Sequence, residues 1–523
     1  MSATQEKNRE STIVIEKVAS FSSPSTTEEP FDRDAQRLKD LGYKQEFNRD
    51  ISLFTQAGFA FTTMAVLPNW LVGFGASMSA GGPMSLFWGY IVVIPFVTCI
   101  ALSMAEVFSA YPVNGGVYSW CYLLSNKKWG PLMSWICGYV FVAGLLAATM
   151  TLAYNISESV ISIANLYREN PITSQGAYVG LYVLFIVVGV AYSGLGLKFS
   201  GYLNNFMVFW VAIGTIIVVI AMPVMAPTHP SAEWVFTEFQ NTTGYQNYGL
   251  VFLIGLLQAG WTFLGYENGA QIAEGTKNAD ITGPRGIILA VGSAMIQGVV
   301  LCIATLFSIQ DVEELRSSAA PVATLFLRAT NRPLTVFFLV ILALTQFASE
   351  CNSFYSCAQL LWAMSRDKCI PLHSFWYKLS GKNKVPARIL ILEGLVCIVV
   401  IMPSFASEVY WSAIMSTAVI CINVAYGLPN FCRLIWTRRN MQKGPFNLGR
   451  YSVPINIFAV VWIAFFTVIL CIPAVFPVAP ETMNWTCLMI GVVLIFSLGF
   501  WFVQGRHSYV GPIQTLEADH GEH

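Results

Sequence analysis

The chain has 523 residues, 55% of them hydrophobic and only 11% charged, with 29 basic against 29 acidic side chains and a mean hydropathy of +0.58. A water-soluble domain carries about 25% charged residues, so this chain cannot cover a soluble surface, and its zero net charge argues against nucleic acid as a partner. The composition is that of an all-α polytopic membrane protein.

Residues 1–50 differ from the rest: they are rich in Ser, Thr, Glu, Lys and Arg, with no apolar core and no small-residue cleavage site. They read as a disordered cytoplasmic N-tail rather than a cleaved signal, so the first span must direct insertion. Residues 51–505 form the transmembrane domain. Its apolar runs begin near 53, 84, 130, 178, 203, 249, 286, 334, 387, 408, 453 and 484, and each has the roughly 20 residues that cross the hydrocarbon core as a helix. Residues 506–523 are a short C-tail. Only Arg168, Arg316, Arg328 and Arg332 fall in odd-numbered connections; the other 25 of the 29 Lys and Arg lie in the tails and the even-numbered connections. By the positive-inside rule both termini are cytoplasmic.

The first span, "SLFTQAGFAFTTMAVLPNWLVGFGASM", contains Gly58, the stretch Phe61-Thr62-Thr63, and Pro68. The sixth, "GLLQAGWTFLGYENGAQIAEG", contains Gly255, Gly260, Gly265 and Gly269. Such residues weaken the helical hydrogen-bond ladder, and breaks at corresponding places in two halves mark the site of inverted-repeat transporters. Glu267 stands in the sixth span, too deep to snorkel. A charge at mid-bilayer costs on the order of 2.5–3.5 kcal/mol, and burial disfavours the charged form of a carboxyl. Glu267 is therefore read as the carrier of a coupling proton or the partner of a substrate amine, against a structural hydrogen bond to a neighbouring helix. Asn241-Thr242-Thr243, in an outside connection, is a glycosylation sequon, equally readable as an unused match.

In the eighth span, Glu350 shares a helical face with Ser353, Phe354 and Cys357. It is either a structural acid or a second acidic group for a cationic substrate. Glu393 lies within snorkelling reach of the interface near Arg388 and reads as structural. The 12 cysteines stand singly and the five histidines lie in connections or the tail, so no metal, cofactor or intramembrane histidine relay is expected. Nucleotide-binding, zinc-hydrolase and nucleophile-elbow patterns are missing, as is a soluble domain large enough for an ATPase. An enzyme is not expected; transport driven by an ion gradient is.

Residues 231–287, "SAEWVFTEFQNTTGYQNYGLVFLIGLLQAGWTFLGYENGAQIAEGTKNADITGPRGI", resemble the loop and sixth helix of the fungal amino acid/choline transporter family, within the amino acid–polyamine–organocation (APC) superfamily. "LKDLGYKQEFNRDISLF" (38–54), "GGPMSLFWGY" (81–90), "MAEVFSAYPVNGGVYSW" (104–120) and "LLWAMSRDKCIPLHSFWYK" (360–378) resemble other segments of it in the same order, so the likeness runs over roughly 38–505. It implies a 5+5 inverted-repeat fold with two extra C-terminal helices and a substrate site between the broken first and sixth helices. It places that site on Phe61, Thr62, Thr63 and Met64, and on Gly265, Tyr266 and Glu267, with Trp261 as an aromatic gate. The superfamily's G-x-G is missing at the first break, and Ala358 and Gln359 replace a Ser and an Arg of the inner gate.

The expected function is that of a permease: a secondary active transporter, a proton symporter, for an amino acid or small amine across a fungal membrane. The plasma membrane is the first expectation, with endoplasmic reticulum, Golgi or vacuole as alternatives. A choline- or thiamine-type carrier, sodium coupling through first-helix carbonyls with Ser353 or Ser356, and a non-transporting nutrient receptor are the competing readings. Glu267 and Glu350 face no basic residue inside the spans, which favours a substrate bearing a positive amine or quaternary nitrogen, with Trp261 and Tyr266 as aromatic faces.

Overall fold

A chain crosses lipid as helices that close their backbone hydrogen bonds internally, and nearly every ordered element here is a helix. The computed structural model describes residues 52–113, 115–271, 273, 276–381, 383–405, 410–438, 440–479 and 482–512. The expected N-tail and most of the C-tail lie outside the described residues.

Among the described residues eleven helices are long and apolar enough to span. Spans 1 to 5 are Leu53–Ser79, Gly82–Ala110, Gly130–Asn165, Gln175–Ser193 and Leu197–Met225. Spans 7 to 12 are Ala279–Leu306, Arg332–Arg366, Ala387–Phe405, Tyr410–Thr437, Gly449–Leu470 and Thr486–Ser508. Span 6 is shorter, Tyr248–Thr262, because the chain leaves the helix at Phe263 and resumes it only over Asn268–Gln271. With it the protein has about twelve crossings, close to the places expected from the sequence.

Of the apolar stretch of span 1, 83% is buried inside the protein, against 11% for span 12; span 1 is central and span 12 faces lipid. The packing partners of the first five spans recur in the next five. Span 2 packs on 7 and span 3 on 8; span 5 packs on 1 and 8, as span 10 packs on 6 and 3; span 7 packs on 1, as span 2 does on 6. Adding five to each number maps one set onto the other. Spans separated by five run in opposite directions, so the repeat is inverted. Short helices match too: Gly116–Leu123 lies between spans 2 and 3, and Pro321–Ala329 between spans 7 and 8. Spans 11 and 12 pack outside, on spans 2, 3 and 10.

One buried ion pair ties the outer spans to this core. Glu106 of span 2 accepts from Arg433 Nη1 of span 10 at 2.9 Å and from Ser452 Oγ of span 11 at 2.7 Å. Arg433 also donates to Ser452, and Leu448 N–H donates to Glu106 at 3.2 Å. Glu106 and Arg433 are 1% and 3% exposed, so neither charge is relieved by water. Removing one partner of such a pair strands the other, a loss of about 3–5 kcal/mol. Arg433→Met should therefore lower the melting temperature of the detergent-solubilised protein, while adding Glu106→Gln should recover part of the loss. Strictly additive losses in the double variant would show that the two charges act independently.

Candidate functional site

Span 1 breaks at Ala65, just past Phe61-Thr62-Thr63-Met64, where the resemblance placed the break; those four residues are still helical. The helix Leu53–Met64 stops, Ala65 turns left-handed at φ 32°, and a second helix runs over Val66–Val72. An L-residue in that conformation costs roughly 1–2 kcal/mol, and no glycine relieves it. Side chains hold the freed backbone instead. Ser349 Oγ of span 8 donates to Thr62 O at 2.8 Å, and Asn69 Nδ2 donates to Met64 O at 2.6 Å. Asn352 donates to Thr63 Oγ1 at 3.1 Å and exchanges amide hydrogen bonds with Asn204 of span 5.

The non-helical stretch of span 6 runs from Phe263 to Glu267. Gly265 has φ +103°, and a Cβ there would lie 2.6 Å from Thr63 Cγ2. The two breaks thus touch, and only a residue without a side chain permits it. Glu267 is 1% exposed. Its Oε2 accepts the hydroxyl hydrogen of Tyr426, on span 10. The same hydroxyl oxygen accepts from Gly265 N–H at 3.4 Å, and the Tyr426 ring lies 5.0 Å from that of Tyr266. Asn268 Oδ1 accepts from Ser356 Oγ at 2.5 Å.

Between the breaks lies a cavity of about 30 Å³, whose polar lining comprises Thr63, Asn69, Glu267, Asn268 and Ser353. Trp261 forms part of its wall and Gly265 part of its floor. That volume is about one water's share of the liquid; in this conformation the cavity is too small for an amino acid, and the walls must move to admit one. Below the break, Gln56 fastens span 1 to the segment after span 6: its Nε2 donates to Gly269 O at 2.6 Å and its Oε1 accepts from Thr276 at 2.8 Å.

The structure brings Thr63, Trp261, Gly265 and Glu267 together at the cavity. Phe61, Thr62, Met64 and Tyr266 adjoin the breaks without lining it. Glu350 is elsewhere: its Oε1 lies 2.9 Å from where a Cβ on Gly189 of span 4 would be. The face of span 8 that meets the breaks carries Ser349, Asn352, Ser353 and Ser356, and Glu350 is turned off it. Glu393 is 1% exposed and lies beside Cys357. Gln359 donates to Tyr355 Oη at 2.9 Å. Asn241 sits in a turn, donating to Tyr245 O at 2.7 Å and accepting from Thr243. Among the described residues no three His, Cys, Asp or Glu side chains cluster as metal ligands. Sequence reasoning missed Tyr426, Asn69, Asn352 and Ser349. The available signal was polar side chains recurring inside otherwise apolar spans.

Comparison with known proteins supplies the family. The amino acid permease family matches residues 51–494, and the chain belongs to it. It is 32% identical over 498 residues to the amino-acid permease BAT1 homolog of Oryza sativa subsp. japonica, covering 92% of this chain and 96% of that protein. Amino-acid permease 2 of Neurospora crassa is 28% identical over 507 residues, covering 95% of this chain and 92% of its own. An uncharacterized amino-acid permease of Schizosaccharomyces pombe is 29% identical over 481 residues, covering 91% and 89%. The likeness therefore extends to plants as well as fungi.

The contact between the breaks yields a prediction. Gly265→Ala drives a methyl into Thr63 and forces a left-handed conformation on a residue that resists it. Initial uptake should fall at least tenfold while the protein still reaches the membrane in normal amount. Uptake at the parental rate would mean that the two breaks need not meet during transport.

Proposed function

We propose that this member of the amino acid permease family is a proton-coupled secondary active transporter, carrying an amino acid through the junction of its two broken spans. The observation that carries the reading is Glu267: a carboxyl buried beside the cavity, on the broken stretch of span 6, and hydrogen-bonded to a third span. As a carboxylate it accepts from Tyr426. Once protonated it can also donate, and it accepts less strongly from the Tyr426 hydroxyl. Because that hydroxyl also receives Gly265 N–H, the proton acts next to a backbone break. A substrate ammonium beside Glu267 would meet the carboxylate, with the Trp261 face adding an attraction of about 0.5–2 kcal/mol.

The names of the relatives favour amino acids over choline or vitamins. With Glu350 turned towards span 4, Glu267 alone remains of the two acids first assigned to the substrate, so a zwitterion suits the cavity as well as a cation does.

Glu267→Gln keeps shape and removes the titrating proton. In proteoliposomes it should abolish uphill accumulation under an imposed pH gradient, while exchange of internal for external amino acid persists in part. Concentrative uptake by the variant would refute the proton role, and a panel in which no amino acid enters the parental protein would refute the substrate class. We also place the Lys- and Arg-rich face in the cytoplasm. Impermeant labelling of introduced cysteines should then reach 433–450 only from the cytoplasmic side and the Asn241 turn only from the opposite side; the reverse result would invert the protein in the membrane.

A further inference from the structure

A second, larger chamber of about 140 Å³ lies beyond the first on the Lys- and Arg-poor face. The two are aligned on the same helices. Span 3 lines the inner cavity with Leu145, Ala148 and Leu152 and the outer chamber with Asn155, Ser159 and Ser162. These positions are spaced by three and four residues and form one helical stripe. On span 8 the inner cavity meets Ser353 and the outer chamber Gln346, two turns away. The outer half of span 1 supplies Val72, and Pro321, at the start of the short helix before span 8, closes the far wall.

Three side chains give this chamber its chemistry. Gln346 is 1% exposed, yet neither of its amide atoms has a hydrogen-bond partner among the described residues; Asn155 Nδ2 is likewise buried and unpartnered. Glu158, half-buried, contributes a carboxylate to the lining, and no Lys or Arg lines the chamber. Buried amide groups left unpaired at a cavity wall are costly unless something bonds to them. One carboxylate with two amide donors in reach of one volume complements a zwitterion: ammonium to Glu158, carboxylate to Asn155 and Gln346. Size narrows the class, since a cavity of ~150 Å³ takes benzene, whose heavy atoms equal those of alanine in number.

We propose that this chamber, built around Glu158, Asn155 and Gln346, is a second binding site that holds a small zwitterionic amino acid ahead of the broken-span cavity. It rests on the reading of the protein as an amino acid transporter, and adds a site to it. The test is equilibrium binding of radiolabelled alanine to the purified full-length protein in lipid nanodiscs. Glu158→Gln should halve the alanine capacity, and Val322→Phe, which fills the chamber without altering a charge, should do the same. Unchanged capacity in both chamber variants overturns the site, as does absence of alanine binding to the parental protein. Failure of the transport reading is seen separately, as absence of uptake across the whole amino acid panel.

Discussion

Backbone groups at membrane depth have no water to turn to, so every N–H and C=O freed by a broken helix must find a partner inside the protein. The site is organised by that constraint. At the first break, Thr62 O is taken by Ser349 and Met64 O by Asn69; at the second, Gly265 N–H is taken by Tyr426. These partners come from spans 1, 8 and 10, which fixes where those helices stand and how they are rotated. Polar side chains concentrate accordingly. Span 8 presents Ser349, Asn352, Ser353 and Ser356 inward, whereas span 12 leaves Leu488, Val492 and Ile495 exposed towards lipid. The breaks are sources of order in the surrounding bundle.

Much of this was legible in the sequence. The number and positions of the spans follow from apolar run length; the second break falls on the residues the resemblance indicated, whereas the first falls at Ala65, one residue beyond the indicated Phe61-Thr62-Thr63-Met64, which stay helical. Glu267 stood out because a carboxylate after ten or more apolar residues has no cheap explanation. What could not be read is which long-range partners satisfy the breaks: Tyr426 is 159 residues from Glu267, and Ser349 is 287 from Thr62. Local sequence carries no such pairing. Ala65 is also silent, since its left-handed turn is imposed by tertiary hydrogen bonds rather than by its own preference. Glu350, left open between a structural acid and a second acid for the substrate, lies against Gly189 of span 4 and does not line the cavity, for a geometric reason. Span 8 is buried over most of its circumference, so a helical face can be identified without knowing which neighbour it meets.

The buried acids show how much environment decides. Glu106 has a guanidinium at 2.9 Å and two further donors, a closed arrangement that binds three helices and leaves nothing for a ligand. Glu267 has the Tyr426 phenol, the backbone N–H groups of Gly265 and Glu267, and a cavity at its side, so it is held by neutral donors and faces open space. Glu350 has no hydrogen-bond partner for either oxygen among the described residues and no opening towards the cavity. The residue type is the same in all three; only the second combines neutral donors with access, which is the condition for reversible binding.

Access is also where the two repeats differ. The short helix Pro321–Ala329 borders an open chamber, while its counterpart Gly116–Leu123 is packed shut, with Val117, Tyr118 and Trp120 all at 0% exposure. Tyr118 donates to Asp367 at the end of span 8 at 3.0 Å and is hydrogen-bonded to Tyr509, beyond span 12, at 2.7 Å. Gln56 adds a second fastening beneath the first break. This conformation is thus open beside the second-half helix and sealed beside the first, where Tyr118 and Gln56 tie the spans together by hydrogen bonds that have no counterpart at Pro321 among the residues lining the chamber.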